Sequence, residues 1–70
     1  MVSLKISGTK PTAQAVKEMK QMIAGIKKYG NQYTTNRYFV YEGSVMRAGQ
    51  SSKAGAKRYM KQGRTLFSIN

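Results

Sequence analysis

The sequence predicts a single small α+β domain that spans residues 1–70. Two segments, around residues 12–29 and 51–62, carry the 3.6-residue periodicity of amphipathic helices. Segments that alternate in polarity, or that are rich in β-branched and aromatic residues, stand before, between and after them. Because 70 residues are close to the lower limit for an adequate core without disulfides or metals, one sheet packed against both helices is expected.

The first strand and the first helix have clear patterns. Residues 2–7 alternate, with Val2, Leu4 and Ile6 on one side, which predicts a strand with one buried face. A helix is predicted over 12–29, and it ends before Gly30. Its apolar positions share one arc: Ala15, Val16, Met19, Met22, Ile23, Ile26 and Tyr29. Its basic positions fill most of the remaining surface: Lys17, Lys20, Lys27 and Lys28.

The second half predicts a hairpin, a helix and a closing strand. Residues 33–41 (YTTNRYFVY) favour a strand, and Glu42-Gly43 offers a two-residue loop that would pair Val40 with Val45. A helix begins near residues 51–52 and ends before Gly63. Residues 65–69 (TLFSI) follow as the last strand.

The resulting element order is β-α-β-β-α-β. Its simplest arrangement is a small antiparallel sheet with the two helices on one face, the ferredoxin-like plan. A three-stranded sheet plus two helices is the alternative, if the short last strand does not pair.

Composition narrows the function. Thirteen Lys and Arg residues against two acids give a formal net charge of +11, which predicts a polyanionic partner. The 40% hydrophobic content argues against a disordered basic tail. No Cys or His is present, and Glu18 and Glu42 are the only carboxylates, so we expect no enzyme activity, no metal and no cofactor. No membrane span or signal peptide is apparent, and a bacterial or phage-infected cytoplasm is the expected location.

A basic stripe on the second predicted helix is the main candidate site. Lys53, Lys57 and Lys61 follow an i, i+4, i+8 spacing with Arg58 beside them, while Ala56, Tyr59 and Met60 fall on the opposite side. We interpret this stripe as a phosphate-binding surface, although basic helix faces are also often merely solvated. The remaining candidates are Arg64, Arg47 and Arg37, with backbone amides near Ser51 and Ser52.

Residues 52–57 carry one family resemblance. Ser52-Lys53-Ala54-Gly55-Ala56-Lys57 follows a predicted strand and a Gly-containing loop. The stretch resembles the Ser-Lys-Lys-x-Ala-Lys motif that opens the final helix of double-stranded RNA-binding domains. The resemblance implies that Lys53 and Lys57 contact phosphates across a groove. Ala54 stands where the family has its middle lysine, and the rest of the family's pattern is not recognisable in this chain.

The aromatic run leaves two interpretations open. Tyr38 and Tyr41 could stack on unpaired bases or anchor a partner protein, or they could belong to the core, to which we assign Phe39.

The leading hypothesis is a small basic protein that binds the backbone of DNA or RNA with little base readout. The alternative is an inhibitor of the kind that phages and mobile elements use, docking on an acidic surface of a host protein or nucleoprotein complex such as a CRISPR effector. In either case no membrane is involved, and a homodimer is compatible with so small a core.

Overall fold

A computed structural model describes residues 3–70, and its elements follow the predicted order. The strands are β1 (Leu4–Gly8), β2 (Tyr38–Glu42), β3 (Val45–Gln50) and β4 (Arg64–Ile69). The helices are α1 (Ala13–Tyr29) and α2 (Lys53–Lys57), and a 3-10 turn follows α1 at Gly30–Gln32. The predicted α+β class and the order β-α-β-β-α-β are therefore confirmed. Val2, predicted in the first strand, lies outside the described residues.

The sheet has four antiparallel strands in the order β1-β4-β2-β3. Its central strands are β4 and β2, which pair Phe39 with Phe67 and Val40 with Leu66. Since β4 pairs with β1 as well as with β2, the sheet is four-stranded and the three-stranded alternative is not adopted.

The two helices lie on opposite faces of the sheet, so the predicted placement on one face is wrong. On one face α1 packs Met19 and Ile26 against Phe39, Tyr41 and Phe67. On the other face Ala56 of α2 packs in a separate cluster with Val40 and Leu66. The physical reason is that β2 and β4 carry apolar side chains on both faces, and one layer of helices would leave half of these side chains in water.

The first helix begins and ends as its sequence predicts. The Thr12 hydroxyl accepts a hydrogen bond from the Ala15 amide at 3.1 Å and caps the first turn, and Gly30 is the C-cap. Tyr29 is an exception to the predicted apolar arc, because it is 53% exposed and its ring stacks on that of Tyr33. Tyr33 in turn lies over Gly25, where a Cβ would come within 2.5 Å of the Tyr33 ring.

The β2–β3 hairpin has a different register from the predicted one. Its turn is Gly43-Ser44, and Glu42 pairs with Val45. Val40 pairs with Ala48 and Tyr41 with Met46, so the partner strand bulges between Met46 and Ala48. The bulge inserts one extra residue into β3, and the pattern of polar and apolar residues in this strand does not predict it.

Tyr41 of β2 makes a buried polar contact with α1. It is 1% exposed, meets Phe67 edge to face at 5.3 Å between ring centroids, and donates a 3.0 Å hydrogen bond to Glu18 on α1. Burial, with the hydrogen bond to the Glu18 carboxylate, raises the pKa of Tyr41 to about 12. The folded state therefore favours the protonated form of this phenol.

Alkaline titration tests this contact. The pKa of Tyr41 is above its ordinary value of 10 in the folded state, so its contribution to stability is complete below pH 10 and is lost as the pH rises towards 12. We expect one tyrosinate absorbance step near pH 12, accompanied by unfolding, and we expect Y41F to lack that step. If Y41F and the wild type give the same titration curve in this range, the assignment is wrong.

Candidate nucleic-acid interface

The carboxylate of Glu42 contacts two arginines of the same chain. Its Oε1 accepts a hydrogen bond from Arg64 Nε at 2.9 Å and lies 3.6 Å from Arg47 Nε. The hydrogen bond from Arg64 lowers the pKa of Glu42, and the charges of Arg47, Arg64 and Lys61 lower it further. This end of the sheet thus holds one anion among three cations, and its net charge remains positive.

Arg64 and Arg37, both predicted phosphate contacts, are held by the protein itself. The Arg64 side chain is only 16% exposed, and its Nη1 donates to the Tyr59 carbonyl at 2.7 Å in addition to its contact with Glu42. Arg37 donates to the carbonyls of Thr34 and Asn36 and, at 2.6 Å, to Asn31 Oδ1. The Arg64 guanidinium stabilises the segment before β4, and the Arg37 guanidinium stabilises the segment before β2. Their donors are therefore less available to a ligand than the sequence indicates.

The second helix is shorter than predicted. The Ser52 hydroxyl caps it by accepting from the Gly55 amide at 3.2 Å, but the helix ends after Lys57. Two tight turns follow, in which the amides of Tyr59 and Met60 donate to the carbonyls of Ala56 and Lys57. Lys61 therefore lies beyond the helix, and the predicted three-member lysine stripe is wrong in its third member.

Two interactions explain this early end. Met60 packs against the cluster of Val40 and Leu66, and Arg64 holds the Tyr59 carbonyl, so the chain is drawn back towards β4. Gly63, at φ +88°, completes the reversal in a conformation that other residues rarely adopt. Tyr59, predicted to face the core, is consequently 43% exposed.

A cluster of exposed cations remains on this segment. None of its members forms an ion pair with a carboxylate in the part of the chain that the structure describes. We call it the α2 cluster: Lys53, Lys57, Arg58 and Lys61. Exposed Tyr59 lies within the same segment, and the sequence missed it because a continued helix would have turned it inward.

The two tyrosines predicted to stack on bases do not have solvent-exposed ring faces. Tyr41 lies in the core, so its proposed role as a stacking platform or partner anchor is wrong. Tyr38 is half-buried and packs against the cluster beneath α2. Both residues are drawn inward because β2 is a central strand covered on each face.

A second basic region lies across the sheet, on α1 and the loop before it. We call it the α1 surface: Lys10, Lys17, Lys20, Lys27 and Lys28, all exposed. Three of its lysines line an open cleft of about 490 Å³, together with Pro11, Ala13 and Val16. Lys10, which lies outside every predicted element, was missed from sequence because only the packing of the loop on α1 brings it to the cleft. Among residues 3–70, no carboxylate lines this cleft.

Two further kinds of site are not formed in the described chain. Within residues 3–70 no group of three His, Cys, Asp or Glu side chains is placed to hold a metal ion. No helix within that range has the length and apolar character needed to cross a bilayer.

The Glu42 contacts can be tested by acid denaturation. Because its folded pKa is below the ordinary value of 4.5, the contribution of Glu42 to stability is present above pH 4.5 and is lost as the pH falls through the folded pKa. We expect E42Q to be less stable than the wild type at neutral pH by urea denaturation, and this difference to shrink at pH values well below 4.5. A difference that stays constant with pH would contradict the assigned contacts.

Comparison of the chain with protein-family models, with curated proteins and with solved structures finds no match. What the exposed cations do is therefore inferred from their placement, their charge and their contacts.

Proposed function

We propose that this protein binds nucleic acid through the phosphate backbone, with the α2 cluster as its main contact. One observation carries the proposal: in a chain of net charge +11, every lysine is exposed while the side-chain carboxylates of Glu18 and Glu42 accept hydrogen bonds within the protein. Among residues 3–70, the ion pairs involve only arginines. The lysines and Arg58 thus stand outside these ion pairs and are available to an external anion.

The α2 cluster concentrates this charge in a short stretch of chain. Its four cations fall within residues 53–61, and Arg58 adds a planar guanidinium that can grip one phosphate through two hydrogen bonds. Each cation that neutralises a phosphate releases condensed counterions, and this release drives binding at moderate salt. The likeness of residues 52–57 to the final helix motif of double-stranded RNA-binding domains supports the same role for Lys53 and Lys57.

The dimensions of α2 argue against base readout by an inserted helix. Its five residues rise only about 7.5 Å, little more than one turn, so few of its side chains could reach base edges in the major groove. Its exposed charged side chains are lysines, which suit phosphate oxygens more than a particular base. Binding that depends weakly on sequence is the expected result.

A second candidate function has one observation in its favour. Val45 and Met46 on edge strand β3 are 55% and 40% exposed, and they lie beside Arg47. They would supply a small apolar anchor for an acidic protein partner, as an inhibitor of a host complex requires. Of the two tyrosines expected from the sequence as possible anchors, Tyr41 is buried and Tyr38 is half-buried, so Val45 and Met46 would supply the exposed part of the anchor.

A salt series on a short duplex tests the main proposal. Four to six neutralised phosphates give a slope of about −4 to −5 for log K against log salt. We expect the variant K53Q/K57Q/R58Q/K61Q to bind on the order of a hundredfold more weakly near 0.1 M salt, with a slope shallower by about 3 to 4. Fluorescence anisotropy with labelled DNA and RNA duplexes measures both quantities.

The matched control removes the same number of charges from the α1 surface. The variant K10Q/K17Q/K20Q/K27Q keeps Lys28, whose ammonium lies 5.3 Å from the centre of the Tyr29 ring. We expect it to bind the labelled duplex more tightly than the α2 variant does. Absence of wild-type binding at low salt, or binding that salt does not weaken, would refute the proposal. Tight binding to an acidic protein partner through Val45 and Met46, in the absence of nucleic acid, would favour the second candidate instead.

A further inference from the structure

We propose that the domain holds two nucleic-acid duplexes at once, one on the α2 cluster and one on the α1 surface. This inference rests on the proposed function, because it assumes that exposed cations of this protein bind phosphate. It goes further by assigning a second binding surface and a different activity, the bridging of two duplexes.

The two surfaces face away from each other across the sheet. The apolar side of α1, which includes Ala15, Met19 and Ile26, packs on one face of the sheet. Lys17 lies about 180° around the helix from that side, so it faces outward from this face. The α2 cluster lies on the other face, because Ala56 and Met60 pack there against Val40 and Leu66.

The α1 surface has a shape suited to an anion. Lys10, Lys17 and Lys20 converge on an open cleft of about 490 Å³. Its remaining lining is apolar or aliphatic, from Pro11, Ala13 and Val16. Because the cleft is open to solvent, a phosphate can approach the three lysines that line it.

The nearest carboxylate does not neutralise this surface. Glu18 belongs to α1, but its two oxygens accept hydrogen bonds from the Tyr41 hydroxyl and the Gln14 amide at 3.0 and 3.2 Å. The contact with buried Tyr41 directs Glu18 towards the sheet rather than towards the outer lysines. The outer side of α1 thus keeps its positive charge.

Because of the size of the domain, the two surfaces must bind two separate duplexes rather than one duplex bent around the protein. The shortest dimension of the domain is 18 Å, and the screening length at physiological salt is only about 8 Å. Two duplexes held on opposite faces therefore repel each other weakly. A single duplex of about 30 base pairs cannot bend around the domain to reach both faces, because its persistence length is about 150 base pairs.

Bridging of this kind has a characteristic dependence on protein concentration. When protein is scarce relative to duplex, each molecule can find a free duplex for each face. When protein is in excess, every duplex is already coated and bridges are lost. Capture of a second duplex should therefore rise and then fall as protein is added, whereas binding to a single duplex only saturates.

A two-duplex capture assay tests the inference. One duplex of about 30 base pairs is fixed on beads and loaded with protein, and a second, fluorescent duplex of the same length is added at low salt. We expect the wild type to retain the second duplex. The α1 variant K10Q/K17Q/K20Q/K27Q should load on the beads with an affinity within about threefold of the wild type, yet capture at least about tenfold less of the second duplex. The conservative variant K10R/K17R/K20R/K27R keeps the positive charges and should capture the second duplex as the wild type does. This result would show that the glutamine variant loses capture because it loses charge, and not because it misfolds.

Each remaining outcome contradicts the inference in a recognisable way. If the wild type loads on the beads but captures no second duplex, bridging is wrong while the proposed function stands. If the α1 variant captures as well as the wild type, the second duplex is held elsewhere, for example by a dimer, which sedimentation of the free protein detects. If the wild type does not load at all, the proposed function itself fails, and the inference fails with it.

Discussion

The burial of both faces of the central strands is the constraint on which the rest of the structure depends. In β2, Phe39 and Tyr41 point to one side and Tyr38 and Val40 to the other, and β4 continues the same two clusters with Phe67 and Leu66. So small a domain can cover both sides only by placing one helix on each. The fold therefore has three layers, and the cations on the outer sides of the helices are divided between opposite surfaces.

The few acidic groups determine how this charge can be used. Glu18 accepts a hydrogen bond from the buried Tyr41 hydroxyl, and Glu42 forms ion pairs with Arg47 and Arg64 at the end of the sheet. These contacts order the chain, and they also leave the lysines without an acidic partner within the described residues. An isolated domain with this imbalance repels itself, whereas a polyanion relieves the repulsion. This is the physical reason for preferring a phosphate backbone over an uncharged partner.

Much of the fold could be predicted from the sequence, because strong local patterns determine it. The apolar arc of α1, its end before Gly30 and the last strand around residues 65–69 are local signals, and the structure follows them. The side of the sheet on which α2 packs is not local. Residues 38–41 (YFVY) form a continuous run of apolar and aromatic residues, which is the available signal for a strand covered on both sides. The bulge in β3 and the early end of α2 arise from tertiary contacts, and the second of these removed Lys61 from the predicted stripe and exposed Tyr59.

The candidate site was predictable in residue type but less so in arrangement. Lys53, Lys57 and Arg58 remain exposed on one segment, whereas Arg37 and Arg64 are held by hydrogen bonds that the sequence spacing does not reveal.

The most direct test of the proposal that the α2 cluster binds phosphate is an NMR titration of the isotope-labelled protein with a short duplex. Backbone shifts that concentrate at residues 53–61 at low duplex ratios, and that reverse on adding salt, are the predicted result. Shifts confined to the exposed edge at Val45 and Met46, or no shifts at low salt, would contradict it.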